Sequence, residues 1–424
     1  MDKRFSSLFS ITEDQAIKLL QTPLEQLEDP SDRYAAASNL VYFKSERSIQ
    51  ALIEAIENCD DQLYNRITRR KAIETLGRFK ADQALDVICR CLGDSDCYTV
   101  ENTVWAIGQI GTQEQKILQE ITDLLNKTGQ NYRVIIQNLA KLNYQPATEV
   151  IKKFIDSEDL CIASSALSAM AILTRDFSQV YRILEFLQSD SVNVRRASIQ
   201  DLMDLNYYDA IAEIACCPVS LVFRLRAIRS IGESAINQGL KTFTDIEPYL
   251  DQVIRDHPSD LKLVHEYDQN PTLEFLIGEL YHTDFGRCYL ASKTLLENYS
   301  PVLGEALIKT YDELAHNDYG GHYHVMKLFG WLKYEPASEL LIESLQNQAP
   351  QFQKSRGAAA IALGILGNKN VIPLLKDNLT TNIFDLKYAC LMALNQLDNV
   401  EGKAIAINDS DLLIRAKAGM VNSY

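Results

Sequence analysis

Small and apolar side chains return in pairs four residues apart along nearly the whole chain. The pairs are Ala36 with Leu40, Ala72 with Leu76, Thr103 with Ile107, Ile135 with Leu139, and Ala166 with Met170. They continue as Ser198 with Leu202, Ala227 with Ile231, Ala291 with Leu295, Ala359 with Leu363, and Cys390 with Leu394. Spacing i, i+4 places both members on one helical face. The pattern returns after about 31 residues, the mark of a stacked array whose units cover their apolar faces with one another. Each unit reads as helix, short turn, helix, the second helix rich in branched aliphatics, as in Ala-Leu-Asp-Val-Ile-Cys-Arg-Cys-Leu at 84–92. Polar segments such as Asp94-Ser95-Asp96, Ser189-Asp190-Ser191 and Asp409-Ser410-Asp411 supply caps for the next helix. Gly77, Gly108, Gly111, Gly232, Gly364 and Gly367 suit helix ends or close helix contacts.

No strand alternation of useful length interrupts this pattern, and the tetratricopeptide and ankyrin signatures are missing. The expected fold is all-α, a right-handed α-solenoid of HEAT-like helix pairs running as one continuous domain over 1–424. An irregular segment is expected at 234–290, where Pro248, Pro258 and Pro271 fall. The 46% apolar content is that of a folded soluble chain, and no uninterrupted apolar run is long enough for membrane insertion. A formal charge of −15 argues against a generic nucleic-acid binder. Met1-Asp2-Lys3-Arg4 lacks the apolar core of a secretion signal, so a cytoplasmic, reducing location is expected. The nine cysteines form no CxxC pair, which supports neither a zinc site nor a disulfide framework and suits small core residues.

Chemistry concentrates in one window. All six histidines, His257, His265, His282, His316, His322 and His324, lie there among many tyrosines. Its centre is His316-Asn317-Asp318-Tyr319-Gly320-Gly321-His322-Tyr323-His324, expected to be a hinge between helices. A double glycine admits close backbone approach, and aromatic faces stack on a flat conjugated guest. No metal motif accompanies His322 and His324, so no metal site is assigned. Tyr281, Phe285 and Tyr289 recur at i, i+4 and read as core. Arg66, Arg69, Arg70 and Lys71 form a basic cluster able to hold carboxylates, with solvated helix ends as the plainer reading. Arg195 with Arg196, and Arg224 with Arg226 and Arg229, are further basic groups. Trp105 faces a repeat junction, where core packing is its simplest role. No GxSxG, phosphate-loop, kinase or GxGxxG motif is present. Residue chemistry alone describes a helical repeat protein that binds a partner or a ligand.

The segments Tyr64-Asn65-Arg66-Ile67-Thr68-Arg69-Arg70-Lys71-Ala72-Ile73-Glu74-Thr75-Leu76-Gly77 and Tyr98-Thr99-Val100-Glu101-Asn102-Thr103-Val104-Trp105-Ala106-Ile107-Gly108-Gln109-Ile110-Gly111 resemble the E/F-type phycobilin lyases. These are HEAT-like repeat proteins of cyanobacteria that attach linear tetrapyrroles to phycobiliprotein cysteines. The opening Met1-Asp2-Lys3-Arg4-Phe5, the period and the length resemble the single-chain phycoerythrin members, and the similarity covers nearly the whole chain. The resemblance implies a phycoerythrin α-subunit as partner and phycoerythrobilin as a substrate rather than a cofactor, joined through a thioether. Some relatives also isomerise the product to phycourobilin. On this reading Asp318 accepts pyrrole N–H bonds, and Tyr319, His322 or His324 trades the proton for thiol addition. Arg66, Arg69 and Arg70 hold propionates, while Trp105 and Tyr323 offer aromatic faces. The hinge and the basic cluster would then share one cradle. The competing readings are a noncatalytic scaffold or chaperone for the subunit, and a lyase that removes or transfers bilins.

Overall fold

A computed structural model describes residues 11–57, 60 and 62–419, so the opening Met1-Asp2-Lys3-Arg4-Phe5 lies outside the described residues. The described residues are helical, with no strand among them. Two compact units divide the chain, one ending at Val180 and the other beginning at Tyr181. None of the helices is long and apolar enough to cross a membrane, among the described residues.

In the first unit the long first helices of successive repeats are α1 (Asp32–Asn39), α2 (Leu63–Phe79), α3 (Cys97–Ile110), α4 (Tyr132–Lys141) and α5 (Leu160–Thr174). Their cores follow the sequence pairs: Ala36, Leu40, Ala72, Leu76, Thr103, Ile107, Ile135 and Leu139 are all buried. Small residues let adjacent first helices nearly touch. A Cβ added to Gly77 of α2 would meet the Ala106 Cα of α3 at 2.9 Å, beside the Trp105 ring at 3.0 Å. Trp105 therefore packs against α2 as part of the repeat junction.

The second unit contains α6 (Val192–Asp204), α7 (Leu221–Asn237), α8 (Phe243–Arg255), α9 (Phe285–Asn298), α10 (Tyr319–Trp331), α11 (Gln353–Ile365) and α12 (Phe384–Gln396). Here α10, α11 and α12 pack side by side as first helices, and a Cβ on Gly330 would lie 2.7 Å from the Ala362 Cβ. One repeat was not read from the sequence pairs: Val325 and Phe329 of α10, both fully buried, fill the gap between Ala291/Leu295 and Ala359/Leu363. The expected hinge is thus only partly a hinge. The turn ends at Asp318, and His322, Tyr323 and His324 sit inside α10.

The irregular segment has a definite job. Residues 256–272 contain one helical turn, Pro258–Asp260, where a first helix would stand, and the preceding α8 packs onto α11 and α12. Polar bonds hold α8 there. Tyr388 donates to Asp251 at 2.7 Å, and Lys417 reaches Asp251 at 2.6 Å and Glu247 at 2.8 Å. At the other end Lys327 donates to the carbonyls of Ile254 and Arg255, both at 2.8 Å, satisfying acceptors that a helix C-terminus leaves open. The chain then turns through Asp256, in the left-handed region at φ 53°. Its buried carboxylate accepts from Arg224, Tyr323 and, at 2.9 Å, Tyr289. Residues Gly320 to Gly330 of α10 are consequently buried on every side, which an amphipathic surface helix would not be.

Candidate functional site

Asp318 is the N-cap of α10; its carboxylate accepts from the backbone N–H groups of Gly320 at 2.9 Å and Gly321 at 2.6 Å. Two of its acceptor sites thus terminate a helix. The double glycine admits a neighbouring ring instead of a ligand: a Cβ on Gly321 would lie 2.3 Å from the Tyr281 Cε1. Tyr319, at 56% exposure, stands at the surface. His322 packs on Phe352 and Tyr311, and burial drives its imidazole down to about 4. His324 is enclosed by Phe285, Tyr289 and Tyr323, with burial pushing it well below the usual histidine range. Tyr323 is equally enclosed, its hydroxyl spent on Asp256. These three side chains face the core, enclosed by Phe285 and Tyr289 of α9 and by Tyr311 and Phe352; the sequence placed them in an open hinge because those ring contacts have no local signature.

The remaining histidines serve separate local contacts. His257 sits edge-on to Trp331, His265 bonds Asp284 at 2.9 Å, and His282 accepts from the Asp284 N–H at 2.9 Å. No group of three potential metal ligands occurs among the described residues. As expected of core residues, Phe285 and Tyr289 are buried.

In the first unit, two of the three arginines are neutralised within the repeat array. Arg69 pairs with Asp94 at 2.6 Å, and Arg70 holds both oxygens of Asp96 at 2.7 Å while lying over the Tyr98 ring. The acids belong to the capping segment of the following repeat, so the basic cluster is largely a repeat-to-repeat clamp. Arg66 forms no ion pair among the described residues.

Arg226 and Arg229, noted in the sequence as a basic group, join side chains not singled out there in the more suitable site, at the N-terminal ends of α7, α11 and α12. A cleft of about 380 Å³ opens there between Leu221, Val222, Leu225 and Phe384, with Arg226, Arg229 and Asp385 along it. Arg229 lies 3.7 Å over the Phe384 ring and bonds Asp411 at 2.7 Å, whereas Arg226 is exposed and unpaired among the described residues. Burial raises the Asp385 carboxyl against the opposing pull of backbone N–H groups and Gln353. Asp385 and Leu221 also line a small cavity shared with Tyr323, Lys327 and Lys354. Lys354 sits in a box of rings, its Nζ 4.2 Å from the Phe285 centroid, 4.9 Å from Tyr323 and 5.0 Å from Tyr319. Burial brings its ammonium down to about 8, so a neutral amine is accessible near physiological pH. The rim therefore offers cations for carboxylates, a carboxyl for N–H donors, flat rings, and an amine that can exchange a proton. Spacing could have hinted at part of it: Lys327 is a charge set in the otherwise apolar first helix α10.

Comparison with known proteins places the chain in a family. The HEAT repeats family matches residues 62–140, and the PBS lyase HEAT-like repeat matches 32–58 and 355–381. The chain is 57% identical over 417 residues to the Uncharacterized phycocyanin operon protein Y of Pseudanabaena tenuis (strain PCC 7409), covering 98% of this chain and 99% of the relative. It is 34% identical to Bilin biosynthesis protein CpeY of Synechococcus sp. (strain WH8020), covering 93% of this chain and 97% of the relative. The chain belongs to the E/F-type phycobilin lyase family. Within that family it is 25% identical, over 52% of its length and 87% of the relative, to the Phycocyanobilin lyase subunit alpha of Picosynechococcus sp. (strain ATCC 27264 / PCC 7002 / PR-6). A solved complex of CpcE and CpcF of phycocyanin lyase from Nostoc sp. PCC7120 shares the lyase-family fold. It has a TM-score of 0.50 at 23% identity, over 57% of this chain and 95% of that one.

Proposed function

We propose that this protein attaches phycoerythrobilin, through a thioether, to a cysteine of a phycoerythrin α-subunit. The observation that carries the reading is the end-to-end match to Bilin biosynthesis protein CpeY. The rim of the second unit supports it chemically. Arg226, unpaired among the described residues, suits a bilin propionate, Asp385 suits pyrrole N–H groups, and Phe384, under Arg229, and Tyr319 offer ring faces. Tyr319 and Asp318 lie beside Lys354 and would meet the substrate there, while Tyr323, His322 and His324 support them from within. In the first unit Arg66 remains available to a carboxylate. Exposed apolar side chains at Val222, Phe223 and Leu314 suit contact with a protein that presents the acceptor thiol. Holding an extended bilin in one conformation beside that thiol removes much of the entropic barrier and suppresses stray addition products. Isomerisation to phycourobilin needs one proton removed and one returned, which the same rim groups can perform.

Co-expression with bilin-synthesising enzymes and candidate subunits tests this. Four arms combine phycoerythrobilin or phycocyanobilin with the α-subunit of phycoerythrin or phycocyanin. A covalent coloured adduct at one cysteine of the phycoerythrin α-subunit is expected, its absorbance separating phycoerythrobilin from phycourobilin. More soluble subunit without covalent colour would refute the lyase and leave a scaffold.

A further inference from the structure

We infer that Lys354 is the catalytic base of the attachment: its amine takes the proton from the acceptor cysteine and, as ammonium, returns that proton to the bilin. This rests on the lyase reading above. The buried cations of this unit are each satisfied by a partner. Arg195 has Asp284 at 2.5 Å, Arg224 has Asp256, and Lys387 has Asp409 at 2.6 Å, while Lys327 has two carbonyls. Lys354 has neither a hydrogen bond nor an ion pair among the described residues, only the three ring faces of Phe285, Tyr319 and Tyr323. The partly buried Nζ stays open to solvent, and the ring faces around it solvate a neutral amine poorly but attract the ammonium once a proton arrives. That asymmetry suits a base whose charge appears during the reaction.

Access and position agree. Tyr319 is the exposed outer wall of the box, and Lys354 and Asp385 line one small cavity, Asp385 being also part of the adjoining cleft. A bilin held along Arg226, Arg229 and Asp385 would end beside the amine, with the acceptor thiol entering past Tyr319. In the step itself the thiol S–H bond breaks and its proton moves to the Lys354 Nζ. The sulfur forms a bond to the ring-A side-chain carbon of the bilin as the carbon–carbon double bond opens. The released electron pair takes the proton from the Lys354 ammonium at the neighbouring ring carbon. The amine is regenerated, and no oxidant or reductant is consumed.

The groups facing Lys354 are Cys288 on α9, Asp256 after α8, Asp318 before α10, Tyr319, Tyr323, His324 and Lys327 on α10, and Asp385 on α12. Burial outweighs the acids among them and sets the amine at about 8, while the Cys288 thiol is itself pushed up to about 12 and stays protonated.

The test uses the full chain, free phycoerythrobilin and purified α-subunit, comparing the parent with Lys354→Met and Lys354→Arg. Methionine keeps the stem, and arginine keeps the cation in its box but cannot act as a base. Both variants are expected to melt near the parent and to bind bilin noncovalently, yet to attach it at least about 100-fold more slowly. The parent's kcat/KM should rise to about pH 8 and fall again as the acceptor thiol loses the proton the amine must receive. The methionine variant should rise monotonically with the thiolate fraction alone. Attachment by both variants within about threefold of the parent, with an unchanged pH profile, overturns the inference and leaves the lyase reading standing. A parent chain that forms no adduct overturns both.

Discussion

Replacing Asp256 by Asn removes one charge from the centre of the second unit while keeping the side-chain shape and a residue that tolerates the left-handed backbone at φ 53°. Arg224, wholly buried, then loses its only carboxylate partner among the described residues. It keeps the carbonyls of Val219 at 3.0 Å and Ala215 at 3.1 Å, and the Tyr289 hydroxyl at 3.1 Å, so the loss is charge compensation more than hydrogen bonding. Breaking a buried pair from one side costs about 3–5 kcal/mol, and the retained acceptors place this case near about 3. For a unit of this size each kcal/mol moves the melting midpoint by roughly 2–4 °C, giving a drop of roughly 6–12 °C. Calorimetry on the full chain, with circular dichroism as a second probe, reads it directly. The double variant Arg224→Met with Asp256→Asn should recover at least half the loss, because no unpaired charge remains. An Asn variant melting within about 2 °C of the parent would refute the claim that Asp256 compensates the buried charge of Arg224.

Further expectations follow from single contacts. Gly304→Ala would push a Cβ to 2.3 Å from the Tyr334 ring, and should cost about 1–3 kcal/mol in denaturant melts, as overpacking does. Asp318→Ala removes the cap of α10 and should cost about 1 kcal/mol; a larger loss of attachment rate than of stability would show that the carboxylate also meets substrate. In the first unit, Arg66→Ala should leave stability within about 0.5 kcal/mol, whereas Arg70→Ala, which abandons Asp96, should cost more; equal losses would refute the clamp assignment. His322, held near 4 by burial, binds fewer protons folded than unfolded. Stability should therefore fall as pH drops from about 6.5 towards about 4, by up to about 3 kcal/mol, and His322→Phe should flatten that slope.

The repeat array was legible because each Ala/Leu pair answers to its nearest neighbours in sequence and space. Val325 and Phe329 escaped notice because a histidine- and tyrosine-rich stretch surrounds them, and such residues read as a ligand-facing turn when nothing announces the rings packed over them. The docking of α8 on α11 and α12 could not be foreseen either: Tyr388 meets Asp251 across 137 positions, a contact with no local signature. The arginine cluster was visible as composition, but its partners Asp94 and Asp96 read equally well as caps, and they are both. Lys354 and Asp385 looked like ordinary surface letters. Their chemistry comes from desolvation by residues from other repeats, which one-dimensional spacing does not encode.

The docking of α8 against its neighbours also decides where this half of the molecule can do work. On the reading proposed above, the bilin lies in the cleft along Arg226, Arg229 and Asp385, at the surface of the protein and not sealed inside it. For a catalyst whose second reactant is a cysteine on another folded macromolecule, that is an advantage: a pigment sealed inside would be safe from water and equally safe from its destination.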